Sequence, residues 1–214
     1  MERVKVKICG LRSFEEACAA LDLGADAIGF NFWPHSRRYI TPGEARQIVN
    51  RLAPFGCFVG VFVNEDLERI IEIYHFVGLN VIQLHGDETP QFCAKLAGLK
   101  LIKALRVARG FNPMWVCSYP ASAVLLDSGG GTGRTFDWAV AVEARKHAPI
   151  ILAGGLTPEN VADAIFKVRP VAVDVSSGVE SEPGRKDPAK MRDFIEAVWR
   201  ANSVLQRSDY HERL

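Results

Sequence analysis

No apolar run in the 214-residue chain approaches the roughly 18 to 20 residues that cross a bilayer. The N-terminus, Met1-Glu2-Arg3-Val4-Lys5-Val6-Lys7, lacks a signal-peptide apolar region. The expected address is therefore the cytoplasm, with no membrane partner. Neither sign of charge is in surplus: 26 Lys plus Arg stand against 25 Asp plus Glu, a formal net charge of +1, so no basic face argues for nucleic acid. Any anionic ligand must be met locally. Cysteine is sparse and odd in number; Cys9, Cys18, Cys57, Cys93 and Cys117 are widely spaced and form no C-x-x-C, which excludes a disulfide framework and a zinc site. The five histidines are scattered without H-E-x-x-H, so no structural metal is expected. No linker, repeat or low-complexity tract divides the chain.

What is present is a regular alternation. Short apolar runs recur at 4–9, 27–32, 57–63, 81–84, 101–105, 123–127, 150–153 and 171–175. Between them lie helical spacings such as Ala45/Ile48/Val49/Leu52, Leu67/Ile70/Ile71/Tyr74, Val161/Ala164/Ile165/Val168 and Met191/Phe194/Ile195/Val198. Ser13 with Glu16 has the capping-box pattern, and Thr41-Pro42 and Thr157-Pro158 place a cap residue before a first-turn proline. The runs are too continuously apolar for a sheet with one wet face, so the sheet is read as parallel. Eight strand–helix units in one domain predict an α/β fold, a single (β/α)8 TIM barrel over residues 1–202, with a doubly wound open sheet as the alternative. Prolines near both ends of 111–120 predict a short or irregular fifth helix. Residues 203–214 are polar and aperiodic, and a frayed or disordered tail is expected there, a helical extension being the alternative.

A barrel builds its site where strands end, so polar residues closing apolar runs are the candidates. Strand 1 ends in Lys7-Ile8-Cys9-Gly10, a thiol at the mouth or a buried inert cysteine. Strand 6 ends in Asp127, whose desolvation calls for a partner or a function. The glycine-rich Ser128-Gly129-Gly130-Gly131-Thr132-Gly133-Arg134 that follows fits a mobile closing loop and fails the P-loop pattern. Gly154-Gly155 after strand 7, with Asp174 and Ser176-Ser177-Gly178 around the end of strand 8, have the make-up of the phosphate grip common at that corner of barrels. Trp33-Pro34-His35-Ser36-Arg37-Arg38-Tyr39 suits an aromatic anion, or is a solvated basic loop. Gln83 and His85 alternate toward one face, where a structural and a catalytic histidine both fit.

Together these segments resemble the phosphoribosylanthranilate isomerase family. The matches run in order through Val6-Lys7-Ile8-Cys9-Gly10-Leu11, Gly24-Ala25-Asp26-Ala27-Ile28-Gly29-Phe30, Ser36-Arg37-Arg38-Tyr39-Ile40, Gly60-Val61-Phe62-Val63-Asn64 and Gln83-Leu84-His85-Gly86. They continue through Leu126-Asp127, Gly131-Thr132-Gly133-Arg134-Thr135-Phe136-Asp137-Trp138, Gly154-Gly155-Leu156-Thr157-Pro158-Glu159-Asn160-Val161 and Val173-Asp174-Val175-Ser176-Ser177-Gly178-Val179-Glu180. The resemblance implies a cofactor-free Amadori rearrangement of N-(5-phosphoribosyl)anthranilate, a small phosphosugar substrate, and a monomer or homodimer. It implies Asp127 as the general acid on the furanose ring oxygen and Cys9 as the general base at C2. Arg38 becomes the partner of the anthranilate carboxylate. Gly154, Gly155, Ser176, Ser177 and Gly178 become the phosphate grip, and Gln83, His85 and Asp174 join the substrate contacts. As an acid, Asp127 is expected to have its pKa raised by burial and by the substrate's anionic groups.

Two alternatives stand beside this. The histidine-pathway barrel performing the same rearrangement places an aspartate where this chain has Cys9, and needs a second phosphate loop where Val63-Asn64-Glu65-Asp66 is acidic and glycine-poor. A silent phosphosugar-binding barrel would need the phosphate loops but not Cys9 with Asp127.

Overall fold

The structure is a computed structural model that describes residues 3–129 and 135–211, with side chains described to residue 208. Eight strands, β1 (Lys5–Cys9), β2 (Ala27–Asn31), β3 (Cys57–Phe62), β4 (Val81–Leu84), β5 (Leu101–Arg106), β6 (Ala123–Asp127), β7 (Ile150–Leu152) and β8 (Ala172–Val175), form a closed parallel barrel in chain order. Closure is made by β1, which pairs with β2 through Cys9 opposite Gly29 and with β8 through Lys7 opposite Asp174. Every expected apolar run became a strand, and the (β/α)8 barrel, not the open sheet, is the fold.

The helices are α1 (Phe14–Asp22), α2 (Pro42–Arg51), α3 (Leu67–Val77), α4 (Pro90–Ala94), α5 (Ala139–Ala144), α6 (Val161–Val168) and α7 (Pro188–His211). Between β5 and β6 the crossover is a 3₁₀ segment, Pro113–Ser118, the irregular element its prolines foreshadow. Thr41 forms a complete capping box with Glu44 at α2. At α1 Ser13 accepts from the Glu16 N–H, but the Glu16 carboxylate turns to the main-chain N–H groups of Arg12 and Lys186. Thr157 is not the cap of α6: the helix starts at Val161, and the Asn160 side chain bridges back to Thr157 N and Gly155 O. That bridge shapes the loop after β7 before the helix begins.

Strand periodicity sorts the buried residues into two cores. Val6, Ile8, Ile28, Phe30, Phe62, Ile82, Leu84, Val124, Leu126, Val173 and Val175 pack with buried helix residues such as Ala17, Ala20, Phe194 and Val198. A second, smaller cluster, Val59, Ile102, Ala104, Leu125, Ile151 and Ala153, contains no helix residue and fills the barrel interior. Cys9, Lys7, Gln83, Asp127 and Asp174 stand at the alternate positions of their strands, the same parity as this inner cluster. After β8 a 3₁₀ turn, Ser177–Val179, leads into an antiparallel ribbon of β9 (Glu180–Glu182) and β10 (Arg185–Lys186).

The expected tail needs correction. Helix α7 runs on from Pro188 to His211 through most of 203–214. Leu205 is buried in it, and Asn202 joins both main-chain groups of Val4, accepting from its N–H at 2.8 Å and donating to its carbonyl at 3.0 Å. A helix already nucleated adds a bond per residue, so these two anchors carry the polar stretch without a periodic pattern. Although 24 residues long, α7 is not apolar enough to cross a membrane, and neither is any other described helix. Replacing Asn202 with Ala leaves the Val4 groups buried without partners, and urea denaturation is expected to show a loss of about 1–3 kcal/mol.

Candidate active site

The barrel mouth opens into a cavity of about 860 Å³. Of the residues singled out from sequence, Cys9, Arg38, His85, Asp127, Gly154, Gly155, Asp174, Ser176 and Ser177 line it. Gln83 and Gly178 do not. Gln83, fully buried at the end of β4, lies behind His85, its Nε2 2.9 Å from the ring Nδ1. Gly178 acts through space: a Cβ there would collide with the Leu156 carbonyl oxygen, so a glycine lets the loops after β7 and β8 touch. Gly154, at φ +79°, is held in the left-handed region and passes so close to Asp127 and Ser128 that a side chain has no room. Asn31, Trp33, His35 and Val61 add to the wall. Of the glycine-rich stretch, Gly130–Arg134 lies outside the described residues.

At the end of β6, Asp127 receives three donors. His85 Nε2 lies 3.3 Å from Oδ2, Gly129 N donates to Oδ1 at 3.0 Å, and Ser128 Oγ is 3.5 Å from the same oxygen. With the Gln83 amide in its present orientation its N–H donates to His85 Nδ1, which puts the ring proton on Nε2, facing Asp127. Burial alone would push the Asp127 carboxyl up, but His85, the Gly129 N–H and the Ser128 hydroxyl outweigh it and hold it below its ordinary value. Burial therefore does not by itself produce the expected rise, and Asp127 rests as the carboxylate.

The loop that carries His85 is braced from below. Lys103, buried on β5, donates to Glu88 Oε2 at 2.7 Å and to Gly86 O at 2.6 Å, while Glu88 accepts from the main-chain N–H groups of Asn64 and Gly86. Sequence reading passed over this pair. Lys103 sits in an apolar strand as an isolated lysine, and nothing local says that its partner is fifteen residues away.

On the opposite wall Cys9 is 9% exposed. Burial pushes its thiol up, Lys7 pulls it down, Asp174 pushes it up again, and the net is a rise, so the thiol is the resting form. Lys7 Nζ is 2.7 Å from Asp174 Oδ1, both groups nearly inaccessible, so Asp174 reaches the cavity wall with one oxygen already engaged. Arg38 is likewise engaged. Its Nε and Nη2 form a two-pronged pair with Glu180 at 2.6 and 2.8 Å, and Lys186 Nζ meets the same carboxylate at 2.8 Å. The Arg38 fork is thereby oriented, with Nη1 outside the Glu180 pair. Glu180 and Lys186 were not singled out, because their roles depend on the β9–β10 ribbon folding back over the mouth. Ser176 completes the seam, donating from Oγ to Cys9 O at 3.0 Å.

Fold and site together define a (β/α)8 barrel with a candidate acid–base pair on facing walls and a glycine- and serine-lined corner. Comparison with known proteins narrows the class. Residues 6–197 match the family described as N-(5'phosphoribosyl)anthranilate (PRA) isomerase. The N-(5'-phosphoribosyl)anthranilate isomerase of Pelobacter propionicus is 50% identical over 209 residues, covering 95% of this chain and all of the relative. A solved phosphoribosyl anthranilate isomerase in complex with reduced 1-(o-carboxyphenylamino)-1-deoxyribulose 5-phosphate has a TM-score of 0.85 and 44% identity, over 92% of this chain and 98% of the other. Mutually generated monomers of the dimeric enzyme from Thermotoga maritima give 0.84 and 43%, over 92% and 98%. The chain belongs to the phosphoribosylanthranilate isomerase family.

The His85 contact predicts a measurable titration. Because Asp127 sits lower in the folded chain than when unfolded, its ionisation contributes stability above the unfolded pKa, and that contribution is lost as pH falls through the folded one. His85→Asn removes the principal opposing donor, so the Asp127 carboxyl, followed by carbon-13 NMR, is expected to titrate at higher pH than in the parent.

Proposed function

We propose that this chain is an isomerase of tryptophan biosynthesis, converting N-(5-phosphoribosyl)anthranilate into 1-(2-carboxyphenylamino)-1-deoxyribulose 5-phosphate by general acid–base catalysis. The observation that carries the residue roles is the placement of Cys9 on β1 and Asp127 on β6 in one cavity, beside an oriented guanidinium and the Gly154-Gly155 and Ser176-Ser177 loops. Asp127 gives its proton to the furanose ring oxygen, the C1–O bond breaks, and the substrate nitrogen takes up the positive charge as an iminium. Cys9 then removes the proton from C2, the iminium draws the electron pair, and the resulting enol tautomerises to the ketone. No external electron sink enters this sequence, because the substrate's own nitrogen is one.

The resting protonation states set a condition on this chemistry. The acid must acquire a proton and the base must lose one, the reverse of their resting forms, since the neighbours of Asp127 hold it ionised and burial keeps Cys9 protonated. The substrate brings a phosphate and a carboxylate. Their charge near Asp127 favours its neutral form, and the iminium formed in the first step favours the thiolate.

Arg38, with Nη1 outside the Glu180 pair, is the proposed partner of the anthranilate carboxylate, and Trp33 and His35 flank the ring. The phosphate lies at the Gly154-Gly155 and Ser176-Ser177-Gly178 corner. The other half of the mouth does not suit a second phosphate, since Asp87 and Glu88 gather around Asn64 there. Every one of these named groups comes from one chain, a placement that suits a monomer or a homodimer, and the cytoplasm is the proposed location.

The test is the loss of anthranilate-type fluorescence when the protein meets freshly generated phosphoribosylanthranilate. Cys9→Ser and Asp127→Asn, folded by circular dichroism, are each expected to slow the decay by about 10²- to 10⁴-fold. A folded parent protein that produces no decay overturns the assignment.

A further inference from the structure

Lys7 has a place in the barrel that the reaction as written leaves unexplained. It is 3% exposed, two residues before Cys9 on the same inward face of β1, and its one salt bridge among the described residues is to Asp174 on β8. A buried ion pair is costly to desolvate, and an apolar pair would fill the same interior at no such cost. Its direction is informative. The Lys7 stem and the Cys9 sulfur meet over Gly29, the residue opposite Cys9 on β2: a Cβ at Gly29 would lie 3.3 Å from Lys7 Cε and 2.9 Å from Cys9 Sγ. The absence of a side chain there lets the ammonium end of one residue approach the sulfur of the other.

Charges around the sulfur come from every neighbouring element. Lys7 stands on β1, Asp174 on β8, Arg38 on the loop after β2, Glu180 on β9 and Lys186 on β10, while Asp127 and His85 face it across the cavity. Arg38 and Lys186 share Glu180, and Lys7 has Asp174. On the sulfur's own wall three cations therefore face two carboxylates, an excess of one positive charge that a thiolate would neutralise.

We propose that Lys7 is the positioning residue that makes Cys9 a base: its buried ammonium, steered by Asp174, is the counter-ion of the Cys9 thiolate. Asp174 then has two opposed effects. It fixes the ammonium beside the sulfur and it tempers the ammonium's field, so that the thiol keeps its proton until the substrate iminium adds a second positive charge. The proposal rests on Cys9 acting as the base, and its test reads the sulfur directly, without turnover.

The experiment follows alkylation of Cys9 by iodoacetamide against pH, with the modified peptide resolved by mass spectrometry so that the other four cysteines do not interfere. The protein is compared with Lys7→Met, Asp174→Asn and the double variant. A counter-ion predicts shifts of opposite sign: the midpoint for Lys7→Met moves up, with alkylation near pH 7.5 slowed by roughly tenfold or more, and that for Asp174→Asn moves down. A residue that merely holds the wall would move both variants the same way, or neither, and either result overturns the proposal. If Lys7→Met fails to fold because Asp174 is left unpaired, the double variant removes both charges together. Its midpoint must lie above that of the parent, and one at or below it overturns the proposal as well. The alkaline limb of the kcat/KM profile separates this idea from the reading beneath it. With the acid at the lower pKa and the base at the higher, that limb follows the base, so it moves to higher pH in Lys7→Met if Cys9 is the base. Opposite alkylation shifts with an unmoved limb leave Lys7 as the counter-ion and remove Cys9 from that role.

Discussion

Closing eight parallel strands on themselves buries every strand on two faces, and any charged group on the inner face must then find its partner inside the barrel. That constraint organises the site. An inner-face lysine without Asp174 would carry a desolvation penalty of several kcal/mol, so the β1–β8 seam that closes the barrel is also the seam that pairs Lys7 with Asp174. Strand register thereby decides electrostatics, since Lys7 stands opposite Asp174 only in the register that β1 and β8 adopt.

The mouth is built by stacking further pairs on that seam. Glu180 reaches back from β9 to hold Arg38 and Lys186, and Glu16 of α1 fastens the ribbon through Lys186 N. Across the barrel, Lys103 and Glu88 hold the loop after β4, which in turn presents His85 to Asp127. The two groups proposed as acid and base are thus tuned by different means. Asp127 is tuned by hydrogen bonds donated to its charged form, whereas Cys9 is governed by burial set against a buried cation. Both rest in the protonation state opposite to the one their proposed roles require.

The architecture was legible because its signals are local and repeated. Eight apolar runs separated by helical spacings leave little freedom, and even the irregular crossover before β6 was marked by Pro113 and Pro120. Boundaries were less legible where side chains answer to distant partners. Thr157 looked like a cap until Asn160 took its main chain, and the polar end of α7 looked like a tail until Asn202 met Val4, 198 residues earlier in the chain. Most of the site was visible as residue types at strand ends, and Cys9, Asp127, Arg38, Gly154 and Ser176 do meet in one cavity.

What the sequence determined alone was which groups could reach the mouth, because strand parity and strand ends follow from a two-residue period along the chain. Tertiary structure alone decided what those groups are once there. The ionised state of Asp127, the engagement of Arg38 by Glu180 and the nearness of Lys7 to the Cys9 sulfur are set by neighbours from other strands. A pKa or an ion pair depends on distance and solvent exclusion across the fold, and no spacing along the chain encodes either.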